Sequence, residues 1–173
     1  GFFCLLLFPP LFSFFPSPPA AVLLNFARDR DGTEVVAGLR KERVDPRFAL
    51  SSEVEPTGFA VMVSAHERNA TIFTQRGANT LLRPAEIKPA MFEKRDLIYV
   101  APLSNRSADC LTTLIDQGAR AGAFVAVNPG VRQLASRANL LLSLLPQIDL
   151  LTINAAEAGA LAPALADLEG AED

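Results

Sequence analysis

Residues 96–170 run DLIYVAPLSNRSADCLTTLIDQGARAGAFVAVNPGVRQLASRANLLLSLLPQIDLLTINAAEAGALAPALADLEG. Three short apolar runs punctuate this stretch: 97–101 (LIYVA), 123–127 (AFVAV) and 148–153 (IDLLTI). Each has the length of a buried strand. Between them lie longer segments of helical spacing. Residues 107–120 place Leu111, Leu114 and Ile115 on one face, and 131–145 is rich in Leu. A last helix is expected over 155–168, interrupted at Pro163. Strands of five or six residues alternating with helices of this length mark βαβ units, a parallel sheet and right-handed connections.

The pattern changes upstream. Residues 58–64 (GFAVMVS) and 71–74 read as two strands joined by the polar segment AHERNA at 65–70, which predicts a hairpin. The span 57–76 is therefore an antiparallel excursion inserted before the βαβ core. Gly77-Ala78-Asn79 closes it as a turn, and 84–92 reads as a short helix with Pro84 in its first turn. Residues 32–43 carry Val35, Val36 and Leu39 as an apolar stripe among charges and predict a helix, broken by Asp45-Pro46. An α/β sheet with a small β flap suits a ligand that is covered on binding.

The charge distribution sets a second boundary. Residues 1–27 contain none of the chain's 35 charged residues, yet residues 1–19 hold six of its twelve Phe and five of its thirteen Pro. Prolines at 9, 10, 16, 18 and 19 interrupt every apolar run there, so a spanning helix of about 20 residues is not expected. No basic segment precedes the run as a secretory signal requires. A seam is expected at residue 27 or 28, with an atypical apolar, Pro-rich terminus (1–27) before a domain over 28–173. A cytoplasmic location is expected, and a membrane-tethered or secreted protein is the competing reading. Net charge −3 argues against a nucleic-acid partner. The two cysteines, Cys4 and Cys110, and the single histidine, His66, offer no metal-ligand spacing. Cys110 is expected as a small buried residue. His66 is expected in a solvated loop, which disfavours a Ser-His-Asp or Cys-His site. Neither G-x-x-x-x-G-K-[ST] nor G-x-G-x-x-G occurs.

Three motifs remain open between structure and chemistry. Asn154-x-x-Glu157 has capping-box spacing at a helix start, and also lies where a parallel strand delivers its end to a helix N-terminus. Asn128-Pro129-Gly130 is a turn after the second core strand that puts Asn128 on the same rim as Asn154. Thr57-Gly58 and Gly77-Ala78-Asn79, at the two ends of the flap, permit a close backbone approach to a ligand.

In this order the motifs resemble those of the PfkB (ribokinase-like) carbohydrate kinases over roughly residues 27–168. The residues carrying the resemblance are Thr57-Gly58-Phe59-Ala60, Ala70 to Thr74 with Gly77-Ala78-Asn79, the stretch VAVNPGVRQL at 125–134, and Asn154-Ala155-Ala156-Glu157-Ala158. Asp29 and Gly32 fit the family's G-x-D-x-x-G segment, with Ala27 where Gly is usual, and Val44-Asp45 fits the segment that follows.

The resemblance implies an α/β, ribokinase-like fold whose doubly wound parallel sheet is incomplete here, with a small antiparallel lid. It implies transfer of the ATP γ-phosphoryl group to a sugar or nucleoside hydroxyl, with ATP and Mg2+ as cofactors. Thr57, Gly58, Gly77, Ala78 and Asn79 become lid and substrate residues. Asn128, Asn154 and Glu157 become nucleotide and phosphate residues, with Glu157 holding magnesium through water. The lid becomes a homodimer surface.

The family's G-G-x-x-x-N segment and its G-A-G-D motif, which carries the catalytic base, do not occur in the 173 residues. No catalytic residue is therefore assigned, and the chain is expected to be a fragment inactive by itself. A non-catalytic interaction module, pairing through its lid strands, is the alternative.

Overall fold

A computed structural model of the chain describes residues 5–8, 20–64 and 70–169. The segment containing His66, and Cys4, lie outside the described residues. The expected class is present: a largely parallel, doubly wound sheet with a separate two-stranded antiparallel lid. The main sheet has six strands in the order β3-β2-β1-β6-β7-β8. These are β1 (Leu5–Phe8), β2 (Ala20–Ala27), β3 (Val44–Ser52), β6 (Leu97–Val100), β7 (Phe124–Val127) and β8 (Leu150–Leu151). All run the same way except β1, which pairs antiparallel with both β2 and β6. The lid is β4 (Phe59–Ser64) paired with β5 (Ala70–Gln75).

Four helices complete the α/β layering: α1 (Arg30–Lys41), α2 (Cys110–Ala121), α3 (Gly130–Leu144) and α4 (Ala155–Glu169). The core lies where α2 covers the sheet. Leu111, Leu114 and Ile115 pack with Ile98, Val100, Val125 and Val127, all essentially sealed from water. Each such side chain contributes about 1.5–3 kcal/mol by leaving water. Cys110 belongs to this core as expected, its thiol directed at the Leu82 carbonyl at 3.4 Å. Burial first, then the charges of Glu86 and Asp109, push that thiol up to about 12. Among the described residues no helix is long and apolar enough to cross a membrane.

Several expectations are corrected. The seam at 27 or 28 is not a structural boundary, because Ala20–Ala27 is a buried strand inside the sheet. Its near-continuous apolar run (AAVLLNFA) lacks the alternation of a half-exposed strand, so in sequence it merges with the apolar terminus. The helix before Asp45-Pro46 does end, at Lys41, but the dipeptide itself lies within a strand, β3. Because β3 is an edge strand, Pro46 need not donate to a ladder on its outer side. The register slips there: Ala21 faces Asp45 but Leu23 faces Phe48, an irregularity that absorbs the proline. The helix expected over 84–92 resolves into two single 3-10 turns, Pro84–Glu86 and Pro89–Met91, each opened by a proline. The strand expected over 148–153 shortens to Leu150–Leu151 at the opposite edge. Pro163 is carried inside α4 rather than ending it.

Candidate functional site

All five parallel strands send their C-terminal ends to one rim of the sheet, and the sequence motifs collect along it. At the end of β2, Asp29 caps α1: its Oδ1 accepts from the Gly32 N–H at 2.8 Å. The same carboxylate reaches 28 residues ahead. Oδ1 also accepts from the Thr57 hydroxyl at 2.7 Å, and Oδ2 from the Thr57 N–H at 2.9 Å. Thr57 Oγ1 in turn accepts from the Ala27 N–H at 2.9 Å. One buried threonine thus ties the strand end, the helix cap and the entry to the lid together. The hydrogen bonds from the Thr57 backbone and hydroxyl, then from Gly32, hold the Asp29 carboxyl below its ordinary value.

The other end of the lid is fixed to the first. Ala78, fully buried, donates its N–H to the Pro56 carbonyl at 2.8 Å. Gly77, at φ 49, lies in the left-handed region, and a side chain there would meet the backbone of Pro56 and Gly58. Gly58 is equally confined, lying against the Arg76 carbonyl and the Asn79 amide. Asn79 accepts at its carbonyl from the buried Ser107 hydroxyl (2.8 Å), which pins the turn to the core. Thr57, Gly58, Gly77, Ala78 and Asn79 are therefore brought together as the base of the lid.

A cavity of about 560 Å3 opens beside this base. It is lined by Glu55, by Ile72 and Thr74 of β5, by Arg76, Gly77 and Thr80, and by Asn105. Its size is that of a small-molecule site, and its lining is mostly polar.

Asn128 and Asn154 occupy the same rim farther along. Asn128 Nδ2 donates to the Thr152 carbonyl at 2.9 Å, joining the ends of β7 and β8. Asn154 and Glu157 form the reciprocal capping box: Asn154 Oδ1 accepts from the Glu157 N–H (3.0 Å), and Glu157 Oε2 accepts from the Asn154 N–H (2.9 Å). Asn128, Asn154 and Glu157 do not line the lid cavity. Among the described residues no cluster of three or more His, Cys, Asp or Glu could hold a metal ion. Glu157 is a single buried carboxylate with one oxygen already bonded, a set that fits magnesium held through water rather than a cage of direct ligands.

Sequence reading did not single out Arg76 or Asn105 as site residues. Arg76 had a signal, since it immediately precedes the Gly77 turn. Asn105 had none beyond its residue type, but the structure holds it at φ 52, an unusual backbone state.

The fold is thus an α/β sheet with a small two-stranded β flap tied to the rim where its strands end. Residues 20–173 match the pfkB family carbohydrate kinases, and the chain belongs to that family. The match begins at the first residue of β2. No curated protein matches the chain. Among solved structures it is similar to a fructokinase from Xylella fastidiosa (TM-score 0.71, 15% identity, covering 94% of this chain and 59% of that one). It is also similar to an adenosine kinase from Schistosoma mansoni solved with 2-fluoroadenosine (0.70, 13%, 84% and 44%). A third is a fructokinase from Vibrio cholerae O395 in its apo form (0.67, 18%, 82% and 51%). These identities speak to fold. The chain spans about half the length of the solved structures it matches.

Proposed function

We propose that this chain forms the lid and middle of a cytoplasmic kinase that transfers the ATP γ-phosphoryl group to a sugar or nucleoside hydroxyl. The observation that carries the reading is the lid base. Asp29, Thr57, Pro56 and Ala78 lock both stems of a two-stranded flap to the end of β2, above a rim where the other strand ends converge. In this reading the flap moves as one body about Thr57-Gly58 and Arg76-Gly77 and covers the acceptor in the cavity beside it, excluding water. Asn128, Asn154 and Glu157 serve the phosphate side of the rim. Magnesium, when bound, would neutralise charge on the transferring phosphates, and Glu157 would orient one of its waters. The capping bonds of Asn154 are compatible with that role, since they fix the carboxylate in place.

No G-A-G-D occurs in the 173 residues, so no group here is assigned as the base. The proposal is that the chain alone does not turn over. A coupled ATP assay across ribose, fructose, a keto-deoxy sugar acid and adenosine should show no activity above blank. Turnover with any of them overturns that statement.

A second reading has its own observation. Phe59, Val61, Met62, Val63, Ile72 and Phe73 are all about half exposed or more on the lid. Residues from both faces of the hairpin are thus open, and a homodimer through the lid is the proposed occupant. Sedimentation of the chain should show a dimer that Phe73→Ser dissociates; a monomer at all concentrations removes this reading.

A further inference from the structure

We propose that Glu55 and Arg76 are specificity-determining residues of the lid cavity: together they read the hydroxyls of an uncharged, polyhydroxylated acceptor and discriminate against a sugar acid. They belong to the two stems of the flap, Glu55 shortly before Thr57 and Arg76 immediately before Gly77, and both line the cavity of about 560 Å3. The backbone beside each is fixed. The Pro56 carbonyl, next to Glu55, accepts from the Ala78 N–H at 2.8 Å, and the Arg76 carbonyl accepts from the Asn79 N–H at 3.1 Å. Two opposite charges are thus carried on anchored backbone to one small space.

Neither charge is spent within the protein. Ion pairs among the described residues engage Glu53 with Arg28 and Glu86 with Arg83, but neither Glu55 nor Arg76. The two share a cavity and make no ion pair with each other, so the carboxylate keeps its acceptors and the guanidinium its donors for a ligand. The remaining lining sharpens the preference. Thr80 Oγ1 donates to the Gly77 carbonyl at 2.9 Å, which leaves its oxygen to accept. Thr74 and Asn105 add a hydroxyl and an amide, and Ile72 supplies apolar surface. Among the described residues lining this cavity there is no aromatic ring for a nucleobase to stack on.

A sugar hydroxyl both donates and accepts. A carboxylate accepts from two neighbouring hydroxyls at once, and a guanidinium donates to two oxygens. An uncharged polyol therefore satisfies Glu55 and Arg76 together. A sugar acid satisfies Arg76 but is repelled by Glu55, and that repulsion is the selective element. Arg76 also borders a smaller cavity, of about 210 Å3, where Leu103 and Ser104 follow β6 and Gly130 follows β7. An acceptor held by Arg76 thus lies beside the phosphate side of the rim. That the ligand is a phosphoryl acceptor rests on the kinase reading; the charge pair and its preference stand on the cavity alone.

The test is amide chemical-shift titration of the whole chain with fructose, ribose, gluconate and adenosine, and separately with ATP and Mg2+. Fructose or ribose should perturb the Arg76, Gly77 and Asn105 amides, and gluconate and adenosine should bind about tenfold more weakly. Glu55→Gln keeps an acceptor and loses the charge. Affinity for the uncharged sugar should fall about fivefold while affinity for gluconate rises, a reversal that a folding defect does not produce. Adding Arg76→Gln to that variant should remove the gluconate gain. The proposal is overturned if neither uncharged sugar perturbs these amides, if gluconate or adenosine binds as tightly, or if Glu55→Gln leaves the preference unchanged. Nucleotide binding is read at the Asn154 and Glu157 amides. A sugar response without a nucleotide response counts against the kinase reading and leaves the charge pair standing; the converse removes the charge pair and leaves the kinase reading.

Discussion

Replacing Thr57 with valine tests the bond network that joins lid and sheet. Valine is nearly isosteric and keeps the Thr57 N–H bond to Asp29 Oδ2, so the change removes one hydroxyl and little else. Two bonds go with it, the acceptor for the Ala27 N–H and the donor to Asp29 Oδ1. The carboxylate keeps its bonds from the Gly32 and Thr57 backbones and is open to water, so its loss is partly replaced. The Ala27 N–H is different, because Ala27 is buried and Thr57 Oγ1 is the acceptor it has among the described residues. A buried donor stranded in this way costs about 1–3 kcal/mol. A central value of ~2 kcal/mol in a domain of this size corresponds to a fall in Tm of roughly 4–8 °C. Urea unfolding followed by circular dichroism should show a lower midpoint at an unchanged slope. Thr57→Ser is the control, since it retains the hydroxyl and loses only a methyl, at about 1 kcal/mol or less. Equal stability of Thr57→Val and the parent chain, or equal losses in the two variants, would refute the assignment of the cost to the buried Ala27 donor.

Asp29 makes the same network pH-dependent. Its folded pKa is depressed below 3.8, so its contribution is present above that value and is lost as pH falls through the lower folded one; in Asp29→Asn, acid unfolding curves should lose this component below about pH 4. Gly77→Ala should destabilise by about 1–2 kcal/mol in thermal melts, because φ is positive and a Cβ has no room, whereas Gly38→Ala inside α1, with open space around it, should stabilise by about 0.5–1 kcal/mol. Cys110 should resist iodoacetamide in the native chain at pH 8 and react on unfolding, as read by peptide mass, because its thiol is buried and raised to about 12. Asn154→Ala should cost about 1 kcal/mol through the lost cap, while Glu157→Gln, which still offers an acceptor to the Asn154 N–H, should stay within about 0.5 kcal/mol of the parent in the same denaturation series.

Legibility of the fold followed burial pattern. The core helix α2 was readable because Leu111, Leu114 and Ile115 alternate with polar residues at helical spacing, and β6 and β7 because short apolar runs were bounded by polar or turn residues. β2 was not readable, because a strand buried on both faces has no polar alternation, and an apolar Pro-rich stretch precedes it. β3 was not readable, because Asp45-Pro46 reads locally as a break after a helix, whereas an edge strand with a register irregularity accepts the proline. For the candidate site, sequence order brought Thr57, Gly58 and the Gly77 turn together correctly, since they bracket one hairpin. It could not find Asn105, which lines the lid cavity from a backbone held at φ 52, a placement no residue pattern encodes.

The capping box at Asn154 and the latch at Asp29 present one problem in two forms. At both, a polar residue at a strand end caps the next helix, which by itself is ordinary. What separates them is range. The bonds between Asn154 and Glu157 stay within four residues, and a helix start needs nothing more. Asp29 makes the same local bond to Gly32 and then spends its second oxygen on Thr57, 28 residues away, where the lid begins. Local capping cannot explain that second bond, and it couples lid position to the end of a sheet strand. Stability measurements therefore suffice to judge the Asn154 cap. They cannot judge the Asp29 latch, whose distinctive consequence is the position of the β4–β5 hairpin. That calls for a distance readout, such as spin labels on the lid and on α2, with Asp29→Asn expected to broaden the distribution and Asn154→Ala expected to leave it unchanged.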